Sequence, residues 1–555
     1  MFSRLPSLSL LSLFAGAALG LPLEVEKRAS PTVQLDQGSF VGSSDGTTNR
    51  FLGIPYGKPP TGNLRFNLPV AVDAYNETQT VTSYGAACPQ QAFDFPLIPG
   101  LVGDVADWFV NTVYNAITPS AEDCLSLNVI VPAGTKAGAD LPVAVWIFGG
   151  GFEIGGPDIY DGNVIVKKSI ELGEPVVYVS MNYRVSAYGF LASQEVKDAG
   201  VGNLGLQDQR LALRWVQKYI STFGGDPSKV TIWGESAGAI SVALHMLTNG
   251  GNTEGLFRGA FMQSGSPIPV GDITNGQNDY NALVKAAGCS GAADTLQCLR
   301  EVAYATLQQA VDSSPGLFAP QSLRLAWLPR VDGTFLVDTP QKLVQQGSVA
   351  NVPFVTGDCD DEGTLFSLAT INITTEAEVR NYLSSNYISG ISSSELDQIL
   401  ELYPADITQG SPFDTGILNA VTPEFKRLAS IQGDLVFQAP RRFFLQNRAD
   451  QQPAWSFINK RLKATPILGA AHVTDILNVY GGGDMADYLV NFVNKLDPNG
   501  NTGIAWPQYT TESPQMLEFY DILDIPGING LTISNDDYRV DAMNFMTQLS
   551  LEYPL

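Results

Sequence analysis

One serine set between glycines, and one histidine far from it in the chain, are the residue types here that could do chemistry together. Gly234-Glu235-Ser236-Ala237-Gly238 reads G-x-S-x-G. Val230, Thr231, Ile232 and Trp233 before it are β-branched or aromatic, and Ala239 to Leu247 after it are mainly apolar and helix-tolerant. A serine at a sharp strand-to-helix turn needs small neighbours, because the strained backbone leaves side chains no room, and the turn pushes Oγ outward. The helix start behind it offers N–H groups to negative charge. Such a hydroxyl is suited to nucleophilic attack on a carbonyl. With 54 glycines in 555 residues the bare pattern is weak. A second copy, Gly42-Ser43-Ser44-Asp45-Gly46, sits among turn formers with no helix after it and is expected to be a hairpin loop.

A serine hydroxyl needs a general base, usually histidine, and the chain has two. His245 follows Ser236 in the same expected helix. At about 1.5 Å of rise per residue it lies roughly 13 Å down the axis, out of hydrogen-bond reach, so it is expected to be a packed helix residue. His472, in Gly469-Ala470-Ala471-His472-Val473-Thr474-Asp475, remains. An acid must then orient the imidazole. In the order serine, acid, histidine it falls between the two. Asp358, Asp360, Asp361 and Glu362 follow the strand-like Val352 to Thr356, where loops of an α/β sheet present catalytic groups. Residue chemistry leaves those four open, and Asp475 falls after the histidine. Gly149-Gly150-Gly151, directly after strand-like Pro142 to Phe148, gives backbone N–H groups free access to a developing oxyanion, with Ala237 N–H beside the nucleophile. Losing one such donor costs about 3–4 kcal/mol in the transition state.

These groups need a scaffold. Strand-like runs at Leu127 to Val131, Pro142 to Phe148, Val176 to Asn182, the elbow strand, Gly259 to Gln263 and Val352 to Thr356 alternate with helical stretches such as the one carrying Leu211, Trp215 and Tyr219. That alternation argues for an α/β fold with a large, mainly parallel sheet covered on both faces. Gly200-Val201-Gly202-Asn203-Leu204-Gly205 matches a dinucleotide pattern, but polar Ser193 to Asp198 precedes it where a strand is needed, and loop glycines are expected. Residues 1–20, with Arg4 and the apolar Leu8 to Leu19, read as a secretory signal peptide. Lys27-Arg28 marks a propeptide over residues 21–28. Residues 29–555 hold no linker or repeat that would divide them and are expected to form a single domain. No later stretch reaches about 18 apolar residues, so a soluble, extracellular product is expected.

The net charge of −24 and a pI of about 4.4 disfavour nucleic acid as a partner. Five cysteines in an exported chain suggest two disulfides and one thiol. Local pairing would leave Cys359 single, although the sequence alone leaves connectivity open. Without a C-x-x-C pair, and with two histidines, no zinc site, other metal or cofactor is expected. Asn76-Glu77-Thr78 and Asn372-Ile373-Thr374 are glycosylation acceptors.

Several segments together resemble the type-B carboxylesterase/lipase family: Phe51 to Tyr56, Glu122-Asp123-Cys124-Leu125, Trp146 to Phe152, Asn182-Tyr183-Arg184, Asp208-Gln209-Arg210, and Phe223 to Pro227 leading to Gly238. Phe148, Ile407 to Phe413 and Gly469 to Asp475 look like the secreted fungal lipases and steryl esterases of the Candida and Geotrichum type. The likeness spans nearly all of the mature chain. It implies an α/β-hydrolase fold, Glu362 as the acid beside Ser236 and His472, and an oxyanion hole from Gly150, Gly151 and Ala237. It implies disulfides Cys88–Cys124 and Cys289–Cys298, the first bracketing a lid at about 88–124. Cys359, three residues before Glu362, departs from the family pattern. The implied activity is that of a secreted serine ester hydrolase cleaving lipophilic carboxylic esters at a lipid–water interface, of triacylglycerol lipase type. Steryl esterase and short-chain carboxylesterase are the alternatives, and the intact set of residues disfavours a non-enzymatic adhesion-type homologue. A homodimer through the open lid region is a further expected partner.

Within that lid, Leu97 precedes Leu101, Val105, Trp108, Phe109 and Val113, which recur at helical spacing with polar residues between them. At roughly 1.5–3 kcal/mol per apolar side chain, exposing about five of them to water on opening would cost on the order of 10 kcal/mol, and a lipid surface would remove most of that cost. The rate is therefore expected to rise where a substrate passes its solubility limit. Smooth saturation through that limit would contradict a lid of this kind.

Overall fold

The central sheet of the computed structural model, which describes residues 30–92, 120–522 and 530–555, holds eleven strands. In chain order they are β1 (Ser43–Ser44), β2 (Thr48–Pro55), β3 (Ser126–Pro132), β4 (Leu141–Ile147), β5 (Val177–Met181) and β6 (Gly225–Glu235). Then come β7 (Gly259–Gln263), β8 (Phe354–Cys359), β9 (Ala454–Lys460), β10 (Gln515–Tyr520) and β11 (Leu531–Asn535). Across the sheet they lie in the order β11-β10-β9-β8-β7-β6-β4-β5-β3-β2-β1. From β10 to β5 all neighbours are parallel, and antiparallel strands finish both edges. The central strands β5, β7 and β8 are buried at every residue, as expected where helices cover both faces. A separate small sheet joins Thr32–Leu35, Gly38–Val41 and Thr78–Thr80.

The elbow helix α2 (Ala237–Leu247) follows β6 directly, and α1 (Leu204–Tyr219) precedes it. Further on, α3 (Phe425–Gly433) continues through a π turn at Asp434–Gln438 into α4 (Ala439–Arg448). The motifs that carry the family likeness are mostly braces. Arg184 forms a bidentate pair with Asp208, Nε to Oδ2 at 2.8 Å and Nη2 to Oδ1 at 2.7 Å, with both side chains buried. Tyr183 donates from its hydroxyl to Phe148 O at 2.7 Å and stacks on the Phe148 ring, which fixes the end of β4 where the triple glycine begins. Gln209 meets His245, Oε1 to Nε2 at 2.9 Å, inside the core.

Disulfides join Cys88 to Cys124 and Cys289 to Cys298, and Cys359 is a free, buried thiol. The Gly42–Gly46 copy forms the expected hairpin. β1 and β2 pair antiparallel, and Asp45 Oδ1 accepts from Thr47 N and Thr48 N in the turn. Two expectations need correction. Gly205 is no loop glycine: it lies in the first turn of α1, where a Cβ would stand 2.5 Å from Arg184 O. The strand expected from Val352 starts at Phe354, because Pro353 has no N–H to give to a ladder. The lid residues Leu97, Leu101, Val105, Trp108, Phe109 and Val113, the surface expected to join two copies there, and the leader over 1–28 lie outside the described residues.

Breaking a buried pair by removing one partner leaves an uncompensated charge and typically costs about 3–5 kcal/mol. Asp208→Ala is expected to lower unfolding stability in urea by about that amount. A loss under about 1 kcal/mol would show that Arg184 is held mainly by packing and by its other hydrogen bonds.

Candidate active site

At Ser236 the backbone adopts φ 56° and ψ −127°, a conformation costly for any residue with a Cβ. The two glycines of the motif make it feasible. A Cβ on Gly234 would stand 2.4 Å from the carbonyl carbon of Gly238, and one on Gly238 would stand 2.0 Å from Ile147 O. The chain thus reverses from β6 into α2 against the end of β4, and Ser236 N–H donates to Gln263 O at 2.9 Å. The hydroxyl is left on the helix side of the turn, in a nearly buried position with 8% of the residue exposed.

His472 reaches it from the loop after β9. Its Nε2 lies 2.8 Å from Ser236 Oγ, and its Nδ1 lies 2.5 Å from Glu362 Oε2. Two hydrogen bonds tie the loops: Asp361 N–H donates to Ala470 O at 3.0 Å, and Ala470 N–H donates to the side-chain Asp361 Oδ2 at 2.8 Å. The ring rests between Phe366 and Phe437, with centroids 5.1 and 4.7 Å away. Phe437 comes from the π turn between α3 and α4, where the extra residue per turn re-aims side chains. From the same turn Gln438 Nε2 donates to Cys359 O at 2.7 Å, bracing the acid loop.

The structure separates the four carboxylates that chemistry left open. Asp358 accepts from Arg441, Asp360 from Lys463, and Asp361 from Lys463, Phe413 N–H and Ala470 N–H. Glu362 faces the imidazole, and its other oxygen accepts Cys359 N–H at 2.6 Å. Asp475, the competitor, accepts from Gln263 Nε2 at 2.9 Å instead. His245 is buried, with burial holding its ring well below the usual imidazole range, and it meets Gln209 and Phe335 rather than Ser236. Burial also lowers His472, to about 4, and raises Glu362, to about 8, against the pull of hydrogen bonds from Ser264 and Cys359 N–H. Both shifts disfavour isolated charge. The pair takes up protons as a unit, and once Nε2 carries a proton the lone pair facing Ser236 is gone, so activity falls as pH falls.

Gly150 and Gly151 have φ of 110° and 62°. A Cβ on Gly150 would stand 2.3 Å from Ile154 O, and one on Gly149 would stand 2.8 Å from Ser236 Cβ, so the triple glycine lies against Ser236. Ala237 opens α2, and its N–H therefore has no acceptor within the helix. Gly149, Gly150, Gly151, Ser236, Ala237 and His472 line one cavity, whose walls include Ile240, Ile268, Leu317, Leu325, Leu328 and Val436. A hydroxyl, an imidazole and a carboxylate in line, with backbone donors beside them under an apolar roof, can carry out acyl transfer.

The model of the family described as "Carboxylesterase family" matches residues 29–523. The chain belongs to the carboxylesterase family. It is a carboxylic ester hydrolase with the α/β-hydrolase fold expected from the sequence. It is 44% identical to "Lipase 4" of Diutina rugosa over 94% of this chain and 96% of that protein. It is 42% identical to "Secreted triacylglycerol lipase LIP1" of Gibberella zeae, over 95% and 91%. Among solved structures, Aspergillus niger EstA superposes with a TM-score of 0.80 at 28% identity, over 95% of this chain and 99% of that one.

Sequence reasoning overlooked two buried acids of this esterase. Glu235, the residue before the serine, places Oε1 3.4 Å from His472 Nε2, and burial raises it well above the carboxylate range. Its place inside the G-x-S-x-G run was the available signal. Glu153, just after the triple glycine, accepts Leu317 N–H at 2.8 Å and is raised by burial to about 8. It ties the glycine loop to a wall of the cavity.

Glu362→Gln keeps the shape but removes the charge and disturbs the tautomer of His472. The expected loss in kcat is about 10³–10⁴-fold with KM little changed. A loss under tenfold on a dissolved ester would mean that Glu362 does not govern the imidazole.

Proposed function

We propose that this esterase is a secreted hydrolase of lipophilic carboxylic esters, triacylglycerols foremost, working through an acyl-enzyme on Ser236. Ser236 Oγ attacks the ester carbonyl while His472 Nε2 takes its proton, and the oxyanion receives hydrogen bonds from the N–H groups of Gly150, Gly151 and Ala237. His472 then returns the proton to the leaving alcohol. Water attacks the acyl-enzyme with His472 again as base, and the acid leaves as Ser236 is restored. Glu362 orients the imidazole and stabilises its charged form throughout. Each proton transfer runs through His472, so this sequence of steps needs no further group.

The observation that carries the reading is His472, within hydrogen-bond distance of both Ser236 and Glu362 at the wall of an apolar cavity. An apolar lining favours long acyl chains over small polar esters. The names of the relatives from Diutina rugosa and Gibberella zeae support the lipase reading, and the second supports secretion. So do the apolar leader from Leu8 to Leu19, the two disulfides, and exposed Asn76 and Asn372 as glycosylation sites. Among the described residues no helix is long and apolar enough to cross a membrane. Residues 29–555 are taken as one catalytic domain, with 88–124 carrying the lid.

Hydrolysis of triolein, cholesteryl oleate and a soluble butyrate ester by one preparation tests the substrate class. Triolein is expected to turn over fastest, with cholesteryl oleate second. Faster turnover of the butyrate than of both long-chain esters would overturn the lipase reading and leave a short-chain esterase.

A further inference from the structure

Two adjacent aliphatic side chains, Ile417 and Leu418, are 70% and 67% exposed, more than any other large apolar residue among those described. Single exposed aliphatics are ordinary on a protein surface. Here the loop beneath them is built to hold them out. Lys426 is itself buried, and its ammonium donates to Thr415 Oγ1 at 2.9 Å, Gly416 O at 2.8 Å and Leu418 O at 3.4 Å. Leu418 N–H donates to Thr415 O at 3.1 Å, closing a turn below the tip. Asp414, Gly416 and Asn419 all take positive φ, which folds the segment back on itself. A buried cation is thus committed to the backbone of an apolar tip.

The tip also stands at a meaningful place. At its near end Phe413 N–H donates to Asp361 Oδ1, one residue before Glu362. At its far end Asn419 Oδ1 accepts Ile467 N–H, five residues before His472. It therefore rises between the acid loop and the histidine loop, on the end of the sheet where the cavity lies, and outside the 88–124 excursion.

We propose that Ile417 and Leu418 form a fixed prong that enters an uncharged lipid surface and seats the cavity mouth against it. Two side chains on a convex tip fall far below the roughly 800 Å² per partner of a stable protein interface. A fluid surface needs no complementary shape. A chain of net charge −24 is repelled by anionic surfaces, which leaves neutral or zwitterionic lipid as the partner. The choice of lipid rests on the lipophilic-ester reading above, so the test reads binding rather than hydrolysis.

The full chain carrying Ser236→Ala is floated with vesicles of dioleoyl phosphatidylcholine. Adding Ile417→Ser and Leu418→Ser is expected to lower the partition coefficient by at least about tenfold with the thermal unfolding midpoint unchanged. Ile417→Trp in the same background is expected to shift its emission to the blue when vesicles are added. Equal partition of the serine pair, no emission shift, or no flotation of the parent chain would each overturn the prong. So would unchanged flotation with a fall in sedimenting mass, which would give this surface to a second copy of the chain. Flotation that depends on the pair, together with an active chain that ignores triolein, would keep the prong and remove only the substrate reading.

Discussion

Everything at this site depends on how closely two backbones can approach. Gly238 sits so near Ile147 O that no Cβ fits between α2 and the end of β4, and Gly234 likewise meets Gly238. That contact holds Ser236 at φ 56°, a strained conformation of the order of 1–3 kcal/mol that persists because the surrounding sheet over-determines it. The strain fixes where Oγ points. Once it is fixed, the parallel sheet supplies the other members from the same ends of neighbouring strands: Gly149 to Gly151 after β4, Glu362 after β8 and His472 after β9. An open α/β sheet collects its ligand groups along this edge.

Burial is the second constraint, and it acts on charge. The end of the sheet gathers Glu235, Asp358, Asp360, Asp361, Glu362 and Asp475, all of them buried. They coexist because each has its own arrangement. Arg441 takes Asp358, Lys463 takes Asp360 and Asp361, Gln263 takes Asp475, and burial keeps Glu235 toward its neutral form. Glu362 is left to the imidazole. This sorting also makes the acid loop rigid, because Asp361 binds Phe413 and Ala470 as well as Lys463.

What was legible in the sequence follows from the range of the interactions. The elbow was readable because its signals are local: β-branched residues, two forced glycines and a helical run within about twenty positions. His472 was reachable by elimination, since a helix of known rise puts His245 out of range. The choice of Glu362 was not legible from residue chemistry. It turns on which of four acids meets Arg441 or Lys463, and both bases lie more than eighty positions on. The family likeness supplied that choice, and the structure brings Glu362 Oε2 against His472 Nδ1. The π turn that delivers Phe437 to the imidazole was equally hidden, because nothing in the local residue types marks where a helix will widen by one residue. Glu153, in a turn, and Glu235, at the last position of β6, were overlooked because an acid at such a place reads as solvated until the packing around it is known.

The central claim is that Ser236 is the one hydroxyl activated for attack. Labelling with an organophosphonate ester tests it most directly, because the reagent needs the nucleophile, the base and the oxyanion donors but no particular acyl pocket. Peptide mass mapping should find one phosphonyl group per chain on Ser236, none in Ser236→Ala, and slowed labelling in His472→Ala. An unlabelled native chain, or a label that survives Ser236→Ala, would contradict the account.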